Sequence, residues 1–71
     1  MSSGKFYLKN LKEYRNKKGW SQEKLAREAG LSYQAVIKIE RGYIKSPRLE
    51  TIIKIAKALG VSLDRLVSLQ K

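Results

Sequence analysis

Four glycines and four serines cut this chain into helix-sized pieces. Gly19, Gly30, Gly42 and Gly60 each follow an apolar-periodic segment, and Ser21, Ser32, Ser46 and Ser62 each stand just before the next one. A serine hydroxyl can accept a bond from an unpaired N–H at the start of a helix, and a glycine can take the left-handed conformation that closes one. The pattern predicts five helices, over roughly 6–17, 22–29, 33–41, 48–59 and 63–69. Pro47, after Ser46, falls where helix four should take its first residue, a site that tolerates a missing N–H. There is no strand-like alternation, internal repeat or low-complexity linker. Residues 1–4 read as a disordered N-terminus and 5–69 as one domain.

Helix four carries the clearest core stripe. With Leu49 as origin and about 100° per residue, Ile52, Ile53, Ile55, Ala56 and Leu59 fall on one side, and Glu50, Lys54 and Lys57 on the other. Helix one offers Leu8, Leu11 and Tyr14 to the same core, and helix five offers Leu63, Leu66 and Val67. Leu69 widens the last stripe beyond what a small core needs. Leu69 and Leu49 are therefore candidate contacts with a partner subunit, with a core edge or a frayed end as the alternative for Leu69.

Seventy-one residues leave room for one core and one working surface. The chain has no cysteine and no histidine, so it has no thiolate or imidazole metal ligand and no nucleophile–histidine pair. Its carboxylates, Glu13, Glu23, Glu28, Glu40, Glu50 and Asp64, are scattered rather than paired. The expectation is no catalytic residue, no metal and no cofactor. Nor is there an apolar run long enough to span a bilayer, or the apolar segment of a signal peptide, so a soluble cytoplasmic protein is expected. Sixteen Lys and Arg against six Asp and Glu give a net charge of +10. Such a charge attracts a polyanion by counterion release, and nucleic acid is the first candidate. On charge alone, a solubilising surface and an anionic membrane stay open as alternatives.

Helices two and three are joined only by Gly30-Leu31-Ser32, which forces a sharp turn, and Ala26, Ala29 and Ala35 allow a close crossing. The run GWSQEKLAREAGLSYQAVIKIERG, followed by SPRLETIIKIAKALGVSLDRLV, closely resembles the Cro/C1-type (XRE-like) helix-turn-helix domain of phage and bacterial repressors over about residues 8–67. The elements that carry the likeness are GWSQEKLA, the turn AGLS, the I-E-R-G closing helix three, the P-x-L-E-T opening helix four, and LGVSLDRL. The resemblance implies an all-α, compact five-helix bundle of the lambda-repressor-like type. Its members generally bind double-stranded DNA as symmetric homodimers, with helix three in the major groove and without enzymatic activity.

Helix three can also be read by geometry. With Val36 at zero, Ile39, Ala35 and Glu40 fall within about 100° of it and form the inward face, while Gln34, Lys38 and Arg41 cluster between about 140° and 200° and face out. Tyr33 belongs to the first turn, whose residues reach base edges in a groove-bound helix. Carried over position by position, the resemblance makes Tyr33, Gln34 and Lys38 the base readers. Gln suits the N6 and N7 edge of adenine, Lys suits guanine, and a tyrosine ring can meet a thymine methyl. Ile37 is the misfit on this row. It can touch a thymine methyl, support the Tyr33 ring, or belong to a wider buried face.

The resemblance also implies clamps around helix three. Gln22 would grip a phosphate and brace the first recognition residue, with Ser21 capping helix two or joining it. Tyr43, Ile44, Lys45 and Ser46 would lie along the DNA backbone with their amides toward phosphates, and Arg48 would approach the minor groove. Arg41, Lys9 and Lys12 are weaker phosphate candidates. Arg15 and Glu40 are expected to form a partly buried structural ion pair, and Trp20 to plug the space between helices one and two. The function implied is a sequence-specific transcriptional regulator, most naturally a repressor on a pseudo-palindromic operator. An antitoxin with a toxin partner, a restriction–modification controller, and a protein-interaction module of the same fold are the alternatives.

Overall fold

The computed structural model describes residues 5–8, 10–44 and 47–70, with side chains omitted for 5–7 and 67–70. The expected N-terminal tail, Lys9, Lys45 and Ser46 lie outside the described residues. In chain order the elements are β1 (Lys5–Leu8), α1 (Leu11–Lys17), α2 (Gln22–Ala29), α3 (Tyr33–Glu40), α4 (Leu49–Leu59), α5 (Leu63–Leu66) and β2 (Val67–Gln70). The five helices follow one another as the punctuation implies, and α2 packs against both α3 and α4.

The two ends differ from the helical expectation. Helix one starts at Leu11 rather than near residue 6, and helix five stops at Leu66 rather than 69. The segments they give up pair as antiparallel strands, with Phe6 opposite Leu69 and Leu8 opposite Val67. Adjacent aromatics at Phe6 and Tyr7 favour an extended backbone, and Val67-Ser68-Leu69-Gln70 does alternate apolar with polar residues. Neither stretch is long enough to announce itself alone, and each gains a ladder only when the fold brings the ends together. Asn10 secures the junction: its Nδ2 donates to the Arg65 carbonyl at 3.0 Å, tying the entry of α1 to α5.

Caps confirm most of the punctuation. The Ser21 hydroxyl accepts from the Lys24 N–H and the Ser32 hydroxyl from the Ala35 N–H, both at 3.0 Å, while Ser62 accepts from the Arg65 N–H at 3.4 Å. Helix α4 begins one residue later than expected, with Arg48 as its N-cap and no side-chain cap bond, so Pro47 precedes the helix instead of opening it. At the helix-turn-helix corner Gly30 has φ +70°, a conformation that a Cβ makes unfavourable. The corner is closed by the Leu31 N–H, which donates to the Ala26 carbonyl at 2.8 Å.

The core gathers Leu11, Leu25, Ala26, Ala29, Val36, Ile39, Ile52, Ile55, Ala56, Leu59 and Leu66. Leu8, Tyr14, Trp20, Leu31, Ile44, Ala58 and Val61 pack against it from the edge. Two residues assigned to apolar stripes sit outside: Leu49 is 62% exposed and Leu63 36%. Both occupy the first turn of their helices, where the stripe runs past the end of the core. The side chain of Leu69 lies outside the described atoms.

Candidate nucleic-acid interface

Helix α3 is held by one side and presents the other. Val36 and Ile39 are buried, Ala35 is half-buried, and Tyr33, Gln34, Lys38 and Arg41 are exposed. Ser32 fixes the start of the helix through the Ala35 N–H. Its end is wound down by the chain that follows. The N–H groups of Tyr43 and Ile44 both donate to the Lys38 carbonyl, at 2.8 and 3.2 Å, and that of Gly42 donates to Ile39. The strip therefore sits on a helix fixed at both ends and along its inner face.

These loop bonds correct one expectation. The amides of Tyr43 and Ile44 are not free for phosphates, because the α3 carbonyls consume them. What the loop offers outward is side chain: Tyr43 is 70% exposed, and Arg48 is exposed at the start of α4.

Ile37 is half-buried, and it does not join the partly buried residues that pack on the core. Its place one turn after Tyr33 suits it to support that ring or to meet a base directly.

Behind the strip lies a polar network. Arg15 engages both oxygens of Glu40, Nε to Oε2 at 2.6 Å and Nη2 to Oε1 at 3.0 Å, with side-chain exposures of 9% and 3%. The remaining Arg15 nitrogen, Nη1, donates to the Trp20 carbonyl at 2.8 Å. Gln22 completes the set, its Nε2 donating to Glu40 Oε1 at 2.9 Å. Gln22 is thus held by the inward ion pair, whereas the resemblance implied that it would brace Tyr33. Sequence reasoning missed this link because the two residues lie 18 positions apart and no local pattern joins them. With Arg15 taking both oxygens and Gln22 adding a third bond, the buried carboxylate is neutralised and well solvated by protein groups.

Trp20 packs against the core edge, as a plug between α1 and α2 should, and two ammonium groups lie over its ring. Lys18 Nζ is 4.9 Å and Lys24 Nζ 5.8 Å from the ring centroid. These contacts keep positive charge beside the N-terminus of α2. Ser21 is occupied as a cap, and Gln22 and Glu23 are the next backbone donors in the first turn. Among the described residues no helix is long and apolar enough to cross a membrane.

An exposed polar strip on the second helix of a tight helical pair, on a strongly basic chain, defines a helix-turn-helix protein. A helix-turn-helix family model matches residues 11–66, and the chain belongs to that Cro/C1-type family. It is 43% identical over 58 residues to the Neisseria hypothetical transcription factor of Neisseria meningitidis, covering 82% of this chain and 54% of that protein. The crystal structure of that factor superposes with a TM-score of 0.75, over 79% of this chain and 62% of the other. An uncharacterised HTH-type transcriptional regulator of Methanocaldococcus jannaschii is also 43% identical, over 80% of this chain and 86% of its own length. The regulator SinR of Bacillus subtilis is 33% identical over 80% of this chain, which spans 51% of SinR. A crystal structure of SinR in complex with DNA superposes with a TM-score of 0.75, over 78% of this chain and 87% of that one. Over the matched helices the chain is therefore similar to HTH-type transcriptional regulators, while it spans only about half the length of two of these relatives.

Proposed function

We propose that this chain binds double-stranded DNA in a sequence-specific way and acts in the cytoplasm as a transcriptional repressor, laying α3 in the major groove. The observation that carries this reading is the strip of Tyr33, Gln34, Lys38 and Arg41, exposed on a helix whose opposite face is buried. Tyr33, Gln34 and Lys38 are the base readers and Ile37 supports the Tyr33 ring. Gln22, Ser21, Arg41, Tyr43, Lys45 and Arg48 serve the phosphates and sugars. Phosphate contacts fix register, and base-edge contacts select sequence. The net charge of +10 supplies the attraction. The DNA complex of SinR supports the same use of the fold here.

A single such helix reads only a few base pairs, so the site is a pseudo-palindrome bound by a homodimer with half-sites about one helical turn apart. The exposed Leu49 supports this. Its chain neighbour Arg48, with Leu31, Ala35, Ile39, Ile44, Pro47 and Thr51, lines a groove of about 380 Å³. An exposed leucine and an apolar groove that share the start of α4 allow a two-fold contact in which each copy uses the same patch. A titration from 50 to 200 mM salt tests the DNA reading. Binding through several phosphates weakens steeply over that range, and a hydrophobic protein interface hardly responds.

A further inference from the structure

We infer that the buried ion pair of Arg15 and Glu40 is a positioning device for DNA binding, acting through Gln22, in addition to holding the fold. This rests on the DNA-binding reading given above. Gln22 opens α2, at the helix end whose first-turn N–H groups have no intrahelical partner, and its amide is not loose: Nε2 donates to Glu40 Oε1 at 2.9 Å. Glu40 is in turn clamped by two bonds from Arg15, whose third donor is fixed on the Trp20 carbonyl. Each link leaves the next with one orientation.

The donor count makes this more than a brace. A primary amide carries two N–H groups and a carbonyl. Glu40 takes one N–H and thereby decides which end of the amide is nitrogen, so the second N–H stays free to meet a phosphate oxygen. Without Glu40 the amide can flip and present its carbonyl oxygen, which repels a phosphate. Arg15 has a separate part. A bare Glu40 carboxylate behind Gln22 would oppose any approaching anion, and the guanidinium on both its oxygens cancels that charge. Neither Arg15 nor Glu40 touches DNA in this account. They are positioning residues, and Gln22 is the ligand they aim.

The experiment is a double-mutant cycle on the full chain. Gln22→Ala is compared in the wild-type background and in Arg15→Met/Glu40→Leu, a pair swap that removes the clamp and fills its place with apolar atoms. Thermal melting confirms that both backgrounds are folded. In the wild type, Gln22→Ala should weaken binding to a selected duplex roughly tenfold and lower the salt slope by about one. In the swapped background the same change should cost less than about twofold. The proposal is overturned if Gln22→Ala costs the same in both backgrounds, or if it is harmless in the wild type. A DNA-free readout separates this from the functional reading. In nuclear magnetic resonance spectra of the free protein, the Gln22 amide proton bonded to the carboxylate should lie downfield of its ordinary position, widening the separation that every primary amide shows, and the separation should return to its ordinary size in the swapped background. A protein with that widened separation that binds no duplex contradicts the DNA reading while the tether stands, and one with only the ordinary separation contradicts the tether itself.

Discussion

Both oxygens of Glu40 are taken by Arg15, at 2.6 and 3.0 Å, across an interval of 25 residues that joins α1 to α3. Because the pair is almost fully desolvated, its two partners are worth far more together than either is apart. Glu40→Ala or Arg15→Ala alone should each destabilise the protein by ~3–5 kcal/mol, since each leaves an uncompensated buried charge. Arg15→Met/Glu40→Leu should cost little. Denaturant melts of the three variants check this, and a double variant as unstable as the singles would contradict it.

Gln34 is exposed in the first turn of α3 and is suited to the adenine edge. Gln34→Ala should lose ~1–3 kcal/mol of affinity for the preferred site and little for unrelated duplexes. Binding selection on both variants is the check. An unchanged preferred sequence refutes base reading by Gln34.

The turn offers a cleaner backbone test. Gly30 sits at φ +70°, yet a Cβ built there would meet nothing within 4 Å. The penalty of Gly30→Ala is therefore conformational alone, about 1–2 kcal/mol, with α2 and α3 undisturbed. A loss well above ~3 kcal/mol in denaturant melts would mean that the corner is crowded as well as left-handed.

Leu49 is 62% exposed, so Leu49→Glu should leave the melting temperature of a dilute sample nearly unchanged. If Leu49 contacts a second copy, the same variant should shift sedimentation toward monomer and weaken operator binding at least tenfold. Unaltered sedimentation and affinity would remove Leu49 from the interface.

These residues also mark what can be read from a one-dimensional pattern. The serine caps and glycine stops act within four or five residues, so their signal is local, and Ser21, Ser32 and Ser62 cap where the pattern puts them. The inward face of α3 was legible for the same reason: helical period alone separates Val36 and Ile39 from Gln34 and Lys38. The exposure of Leu49 at the head of the α4 stripe was not legible, because periodicity gives a direction and says nothing of where along the helix the core ends. The β1–β2 ladder was missed because four-residue strands at opposite ends of the chain carry no local signature strong enough to displace a helix. The Gln22–Glu40 bond, the link between ion pair and interface, belongs to tertiary geometry alone.

Selection of bound duplexes from a random pool by the full chain tests the central claim most directly. A DNA-reading homodimer predicts an enriched pseudo-palindrome with half-sites about 10 base pairs apart, bound with an affinity that falls steeply between 50 and 200 mM salt. A pool that stays random through repeated rounds, or a salt-indifferent complex, would contradict it.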